Sequence, residues 1–329
     1  MKAQVVMATV GEDDGAGQRL DNFLLRHYRN VPKSHLYRLI RSGQVRVNGS
    51  RCHPDDRLAE GDTVRIPPIR VPEVAASPLP AGAGAAPLIL PIVFEDESLL
   101  VVDKPEGLAV HGGSGVSHGV IERLRAARPE SRFLELAHRI DRETSGVLVL
   151  SKKRQALVAL HAQWRERVTG KRYLAIVRGR WPLRTKTLNQ SLQRYLTPEG
   201  ERRVCVHAEG QEAISRVTGL RRLALPVLGE FTLVRVEIET GRTHQIRVHL
   251  AHAGFPIAGD DKYGDFPLNR QLTRLGHRRM FLHAAELDIS HPSGGRRLNL
   301  VAPMPSAFES FLAAARLPSG GDAAAVEAQ

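Results

Sequence analysis

At 329 residues the chain is about twice a typical domain length, so one large domain with a smaller module is expected. Hydrophobic residues make up 42% and charged residues 25%, and no run of about 18 apolar residues exists, so the sequence offers no transmembrane helix. The formal charge of +12, carried mostly by arginine, points to a polyanionic partner, because a guanidinium pairs with phosphate at two points and stacks on bases.

Residues Met1–Val10 lack the basic start and apolar core of a secretory leader. Cys52 and Cys205 are the only cysteines, too few for a disulfide framework, so a reduced cytoplasm is the expected location. Residues 1–17 are read as a flexible N-terminus. In 18–30, Leu20, Phe23 and Leu24 fall at helical spacing, with His27 continuing that face. After Pro32, Ser34 is placed to cap a second short helix carrying Leu36, Leu39 and Ile40, and Gly43 ends it. VRV (45–47) leads into an Asn48-Gly49 turn, and TVRI (63–66) supplies another strand. Residues 18–70 thus read as a small αα-then-β module. Lys33, Arg38, Arg41 and Arg46 cluster on its second helix and the turn that follows, while Asp55, Asp56, Glu60 and Asp62 come later. A basic helix beside a hairpin is a phosphate-tracking surface, against the plainer reading of a solvated helix face.

Residues 71–88 are rich in Pro, Ala and Gly without apolar periodicity and read as a linker; 318–329 read as a disordered tail. Between them, 89–317 form the large domain. LLVVDK (99–104), GVLVLSK (146–152), YLAIVRG (173–179) and FTLVRVEI (231–238) are short β-type runs, and 117–127, 154–167 and 243–253 are helical candidates. Strands outnumber the pieces that could serve as crossover helices. The expected class is therefore α+β, with a mixed, largely antiparallel sheet.

Motifs for nucleotide, zinc or redox chemistry are missing: there is no GxGxxG after a strand, no GxxxxGK[ST], no HExxH and no CxxC. His244, His249 and His252 invite a metal reading, but spacings of five and three do not align them on one helical face. No metal and no cofactor are expected. What remains is a carboxylate among cations in HRIDRETSG (138–146), where Asp141 lies between Arg139 and Arg142 and Glu143 is the competing acid. Cationic neighbours favour the ionised form, and a loop at a strand mouth keeps it accessible. An ionised Asp can act as nucleophile, base or electrostatic stabiliser at a sugar C1′. On the residues alone a structural Asp–Arg pair is equally consistent.

HRIDRETSGVLVLSK is very similar to the signature of the RluA family of pseudouridine synthases. DKPEGLAVHGG (103–113), KRYLAIVRG (171–179), GRTHQIRVHLAHAGFPIAGDDKYG (241–264) and RMFLHAAELDISHP (279–292) resemble further blocks of that family in the same order. RLDNFL, VPKSHLYRLIRSGQVRVNG and LAEGDTVRI resemble the S4 RNA-binding domain, so the likeness covers most of 18–305. VPKSHLYRLIRSGQVRVN, AVHGGSGVSHGVIERLRAARPE and GDDKYGDFPLNRQL look closest to the RluC branch, which modifies uridines of 23S ribosomal RNA.

The resemblance implies that Asp141 is the catalytic carboxylate in an isomerisation: the N1–C1′ bond breaks, the uracil turns, and C5 joins C1′. It implies that Tyr173 stacks on a uracil flipped out of the RNA and that Arg247 pairs with Asp141. Arg139 beside the flipping site is placed to fill the vacated space or touch a phosphate. Leu282 is placed to line the uracil pocket, with plain core as its competing role, and the basic stretch 269–280 to touch RNA backbone. Ribosomal RNA, free or in a large-subunit assembly intermediate, is the expected partner of a monomer. Other uridine targets, a non-catalytic S4-type RNA-binding factor, and a nucleoside-hydrolysing enzyme are the alternatives.

Overall fold

The computed structural model describes residues 5–11, 15–28, 31, 33–69, 89–112 and 118–316. The expected linker 71–88 and tail 318–329 lie outside them, as does 113–117 within the AVHGGSGVSHGV stretch. The chain forms two compact units, Met1–Ala86 and Pro87–Gln329.

The first unit contains β1 (Val6–Thr9), α1 (Leu20–His27), α2 (Lys33–Arg41), β2 (Arg46–Val47) and β3 (Thr63–Ile66). Its helices are too short to be stable alone. They hold by burying Leu20, Phe23, Leu24, Leu36 and Ile40 against Val64 and Ile66 of the sheet and Val45 just before β2. Asn48 and Gly49 both take positive φ (50° and 78°), which a two-residue turn with the strands' own twist requires. The Asn48 side chain ties that turn to the next strand, accepting from Thr63 N–H at 2.8 Å and donating to Asp62 at 2.7 Å. Two expectations change. Residues 6–9 do not hang free: β1 pairs antiparallel with β3, whose edge would otherwise present unpaired backbone groups. And α2 starts at Lys33, so Ser34 lies inside the helix it was expected to cap.

The second unit runs β4 (Ile92–Glu95), β5 (Leu99–Lys104), α3 (Val120–Ala127), β6 (Glu135–Leu136), β7 (Ser145–Ser151), α4 (Arg154–Arg165) and β8 (Gly170–Arg178). It continues with β9 (Thr185–Asn189), β10 (Leu192–Leu196), β11 (Arg202–Val206), β12 (Ile214–Leu225), β13 (Gly229–Ile238) and α5 (Gln245–His252). It ends with α6 (Phe266–Arg274), β14 (Leu282–Ser290), β15 (Arg297–Val301) and α7 (Ser306–Ala314). Ten strands form one sheet along the path β4-β5-β7-β14-β8-β13-β12-β9, with β15 on β14 and β6 on β7; β10 and β11 form a separate hairpin. The α+β class with a mixed, largely antiparallel sheet holds.

The middle strands are buried on both faces, which explains why LLVV and GVLVL read as unbroken apolar runs rather than alternating ones. Leu100, Val102, Leu148 and Leu150 pack with Val120, Ile121 and Leu124 of α3 on one face. Leu99, Val101, Val147 and Val149 pack with Leu160 of α4 on the other. Among the strand pairs of the described residues, β7 with β14 is the parallel one, matching Ser145 to His283 and Gly146 to Ala284. Gly146 has φ +112°, and a Cβ there would lie 2.1 Å from the Ala284 carbonyl oxygen. Only glycine lets the two strands close at this joint.

Gly146→Ala should therefore destabilise the second unit by at least about 2 kcal/mol, lowering its thermal midpoint by roughly 4–8 °C. Gly107→Ala, also at positive φ (+76°) but with nothing within 4 Å of the added Cβ, is the comparator and should cost about 1 kcal/mol.

Candidate active site

The strand joint positions a loop. Residues 138–144 lead into β7, and Thr144 N–H closes a turn on the Asp141 carbonyl at 3.1 Å. Lys104, fully buried at the end of β5, donates from Nζ to the carbonyls of Pro105 (2.7 Å), Leu108 (2.9 Å) and Arg142 (3.0 Å). Burial pushes its ammonium down to about 8. The exit of the loop is also pinned: Ser145 Oγ accepts from the buried Arg279 at 2.7 Å and shares a 2.9 Å hydrogen bond with His283 Nδ1.

Asp141, half-buried, meets α5. Arg247 Nη1 stands 3.5 Å from Asp141 Oδ2, and His244 Nε2 is 3.9 Å from the same oxygen. Arg247 is itself 2% exposed. Its guanidinium donates Nε to Asp260 Oδ2 at 2.8 Å and Nη2 to Asp260 Oδ1 at 2.7 Å, with Asp261 at 3.2 Å. Burial opposes the charged form of both partners. The fork between them outweighs it, holding the Asp260 carboxyl below its usual range and the guanidinium above its own. Asp260 also accepts from Lys262 N–H (2.8 Å) and Tyr263 N–H (3.0 Å), so its orientation is set by backbone.

The start of α5 is built with equal care. Buried Gln245 accepts from Thr240 Oγ1 and from Arg242 N–H, and donates to Ile214 O and Ser215 Oγ. His244 stands before it in the left-handed region (φ 53°, ψ 20°), a conformation that costs a non-glycine residue of order 1 kcal/mol or more. Its Nδ1 is 2.8 Å from the Tyr263 hydroxyl, which accepts from Val204 N–H at 3.0 Å. With that lone pair used, the tyrosine proton is free to go to Nδ1, leaving Nε2–H toward Asp141. Burial pushes the His244 imidazolium down, in keeping with a neutral ring.

A cleft opens in front of Asp141, walled by Arg139, Ile140, Tyr173, Arg242 and Leu282. Tyr173 of β8 is half-buried, and burial, then the Asp141 charge, push its phenol well up, so it stays protonated. Its hydroxyl has no hydrogen-bond partner among the described residues. Leu282 is buried at the foot of the cleft, both core and wall, and Arg139 is exposed at its mouth. The structure thus brings Asp141, Tyr173, Arg247, Arg139 and Leu282 to one place. In the other unit Arg38 and Arg41 are exposed on α2, Arg46 on β2 is half-buried with a hydrogen bond to Gly49 O, and the Lys33 side chain lies outside the described atoms.

Several readings are corrected. Asp141 is not held by its sequence neighbours: Arg142 turns away to Glu143 and to Gly107 O, and the cation comes from α5, more than a hundred residues later. Arg247 is buried although it is a cation, because Asp260 offers a fork-shaped partner. The basic stretch 269–280 is not uniformly available to RNA: Arg270, Arg274 and Arg278 are exposed, but Arg279 is buried on Ser145. Of the three histidines at 244–252, His249 is held by Ser215 Oγ and the Gln190 carbonyl, and His244 by the Tyr263 hydroxyl. Lys104, Asp260, Gln245 and Tyr263 have no role in the sequence reading, and His244 enters it only as a metal candidate. Their signal was the quoted blocks themselves, whose polar residues have no amphipathic explanation.

With this geometry in hand, likeness to known proteins is informative. The profile of the RNA pseudouridylate synthase family matches residues 98–252, and that of the S4 domain matches 18–64. The chain is 51% identical over 305 residues to ribosomal large subunit pseudouridine synthase C of Salmonella typhimurium, covering 91% of this chain and 93% of that protein. The protein of the same name from Pasteurella multocida is 47% identical, covering 95% and 94%. The chain belongs to the RNA pseudouridine synthase family. The human RNA pseudouridylate synthase domain containing 1 shares its fold with a TM-score of 0.58 and 25% identity, over 70% of this chain and 89% of that one. The synthase is accordingly an enzyme that acts on RNA.

Asp260→Asn keeps the shape but leaves the Arg247 charge undercompensated in the core. It should cost about 3 kcal/mol, read as a fall of roughly 6–12 °C in thermal midpoint. Asp261→Asn, at an exposed carboxylate, should stay within about 0.5 kcal/mol.

His138 offers a pH test. Its Nε2 accepts from Val149 N–H at 3.1 Å and its ring stacks on Trp164, and burial pushes its pKa down to about 4. The unfolded chain therefore takes up this proton first, so stability is full above about pH 6.5 and falls as the pH drops toward 4. His283, also pushed down to about 4, adds to the same slope. His138→Gln, which retains an acceptor without titrating, should flatten but not abolish the acid limb in denaturant melts from pH 7 to 4.5.

Proposed function

We propose that the enzyme isomerises uridine to pseudouridine in 23S ribosomal RNA, free or in a large-subunit assembly intermediate, in the cytoplasm and as a monomer, with Asp141 as its catalytic carboxylate. The observation that carries this reading is the pairing of a half-buried carboxylate with a buried, doubly anchored guanidinium at the mouth of a cleft walled by an aromatic ring. The names of the bacterial relatives support the large-subunit target.

The target base leaves its stack at a cost of roughly a few kcal/mol, offset by contacts in the cleft. Tyr173 lies under the uracil ring, and its raised phenol, kept protonated, makes a flat, uncharged platform. Leu282 closes the foot of the cleft and keeps water from the reacting carbon. Asp141 meets the ribose, where its negative charge stabilises or captures the electron-poor C1′ as the N1–C1′ bond opens. Arg247 restrains one carboxylate oxygen, so the other points at the sugar. Arg139 at the rim fills the gap left in the RNA or pairs with the adjacent phosphate. The detached uracil, with the electron pair of the broken bond on N1, turns on its platform and bonds through C5 to C1′; C5 then gives up its proton and N1 takes one up. Reactant and product are isomers, so the chemistry consumes no energy source or redox partner. The S4 unit adds affinity through Lys33, Arg38, Arg41 and Arg46, whose charges contact phosphates without reading bases.

Asp141→Asn should lower the rate of pseudouridine formation at least about a thousandfold while RNA affinity stays within a few-fold. Measured by site mapping on 23S RNA, unchanged turnover would reject the assignment, and release of free uracil would point to hydrolysis instead. Arg38→Ala with Arg41→Ala should raise KM, leave kcat unchanged, and reduce the salt slope of RNA binding by about one to two.

A further inference from the structure

A second cavity adjoins the Asp141 cleft, and none of the roles above uses it. It is a half-open pocket of about 270 Å3, near the small end of ligand-sized cavities, between the β10–β11 hairpin and the turn at 242–243. Arg242 lines both spaces, so its side chain stands between them. The far wall is rigid. Leu192 and Gln211 exchange backbone hydrogen bonds of 2.8 Å in each direction, and Gly210 packs so closely that a Cβ would lie 2.5 Å from the Leu192 backbone. The hairpin is tied to the 260–263 turn through Val204 N–H to Tyr263 and Arg203 Nη1 to Lys262 O at 3.1 Å.

The chemistry of the lining is specific. Leu192 and Val204 supply a buried apolar floor. Two arginines are pre-aimed by neutral partners: Arg194 Nη2 donates to Thr243 Oγ1 at 2.7 Å, and Arg242 Nε donates to Glu212 O at 3.0 Å. Among the described residues neither guanidinium is paired with a carboxylate. Gln193, Gln211 and Glu209 add amide donors, amide acceptors and an anionic acceptor. An apolar floor, mixed hydrogen-bonding edges and two oriented but uncompensated cations match a nucleobase joined to a phosphate.

We propose that this cavity takes the nucleotide adjacent to the target uridine, with its base on Leu192 and Val204 and its linking phosphate between Arg194 and Arg242. The inference rests on the Asp141 cleft being the uridine site, because the shared Arg242 then falls where the phosphate joining the two nucleotides must pass. It makes the β10–β11 hairpin a specificity element: Gln193, Gln211 and Glu209 meet the edge of the neighbouring base, so the enzyme selects uridines by what lies beside them.

The test uses the full-length enzyme and a short RNA containing one target uridine, with an abasic nucleotide placed on its 5′ side or its 3′ side. For the wild-type protein one of the two abasic RNAs should raise KM at least about fivefold with kcat little changed, and the other should have little effect. The Gln193→Ala/Gln211→Ala protein, checked for an unchanged thermal midpoint, should show a raised KM on intact RNA and lose most of its sensitivity to that abasic position. Abasic penalties that are absent on both sides, or undiminished in the variant, would overturn the proposal. A wild-type enzyme that bound the intact RNA without isomerising it would instead overturn the reading of the Asp141 cleft.

Discussion

Arg247 is a guanidinium taken out of water, and the rest of the site is arranged around that fact. A buried cation without a partner would destabilise the core by several kcal/mol, so Asp260 is buried with it and aligned by two backbone N–H groups. The bidentate fork to Asp260 uses Nε and Nη2, leaving Nη1 facing Asp141. Asp141 is thus oriented by a cation from the core of the second unit rather than by its own loop. Such an anchor costs nothing at the moment of reaction, because the charges were arranged during folding.

The sheet supplies the second half of the arrangement. Its two wings meet at the parallel contact of β7 with β14, and the Asp141 loop leads into that joint and meets Arg247 of α5. Lys104 clamps the loop from below and Arg279 ties Ser145 behind it. Several buried ionisable groups and a left-handed His244 at one joint are poor choices for stability alone. They are the expected signature of a site whose geometry is maintained against strain by surrounding contacts.

Much of this was legible in the sequence, for identifiable reasons. The four β-type runs appeared as strands because burial on both faces leaves an unmistakable apolar signal, and the three helical candidates appeared as α3, α4 and α5 within a few residues. The 12-residue β12 passed unread since a bulge between Gly219 and Arg221, with exposed Leu220 and Arg221 in succession, breaks its alternation. Helices α6 and α7 were missed; α6 begins with Asp265 accepting from Leu268 N–H and a proline in the first turn, a capping signal hidden inside a stretch read for charge. Asp141 and Tyr173 could be singled out by resemblance, but the pairing of Arg247 with Asp260 could not come from local pattern. It joins residues thirteen apart across a turn, and only the folded chain shows that both are buried.

The most direct test of the central claim is the single-turnover rate of pseudouridine formation by Arg247→Lys at saturating enzyme, alongside its RNA dissociation constant. A lysine keeps the charge but cannot hold Asp260 with two donors and still face Asp141. The account predicts a rate at least about a hundredfold below wild type with RNA affinity within about threefold. A rate within about threefold of wild type would contradict it.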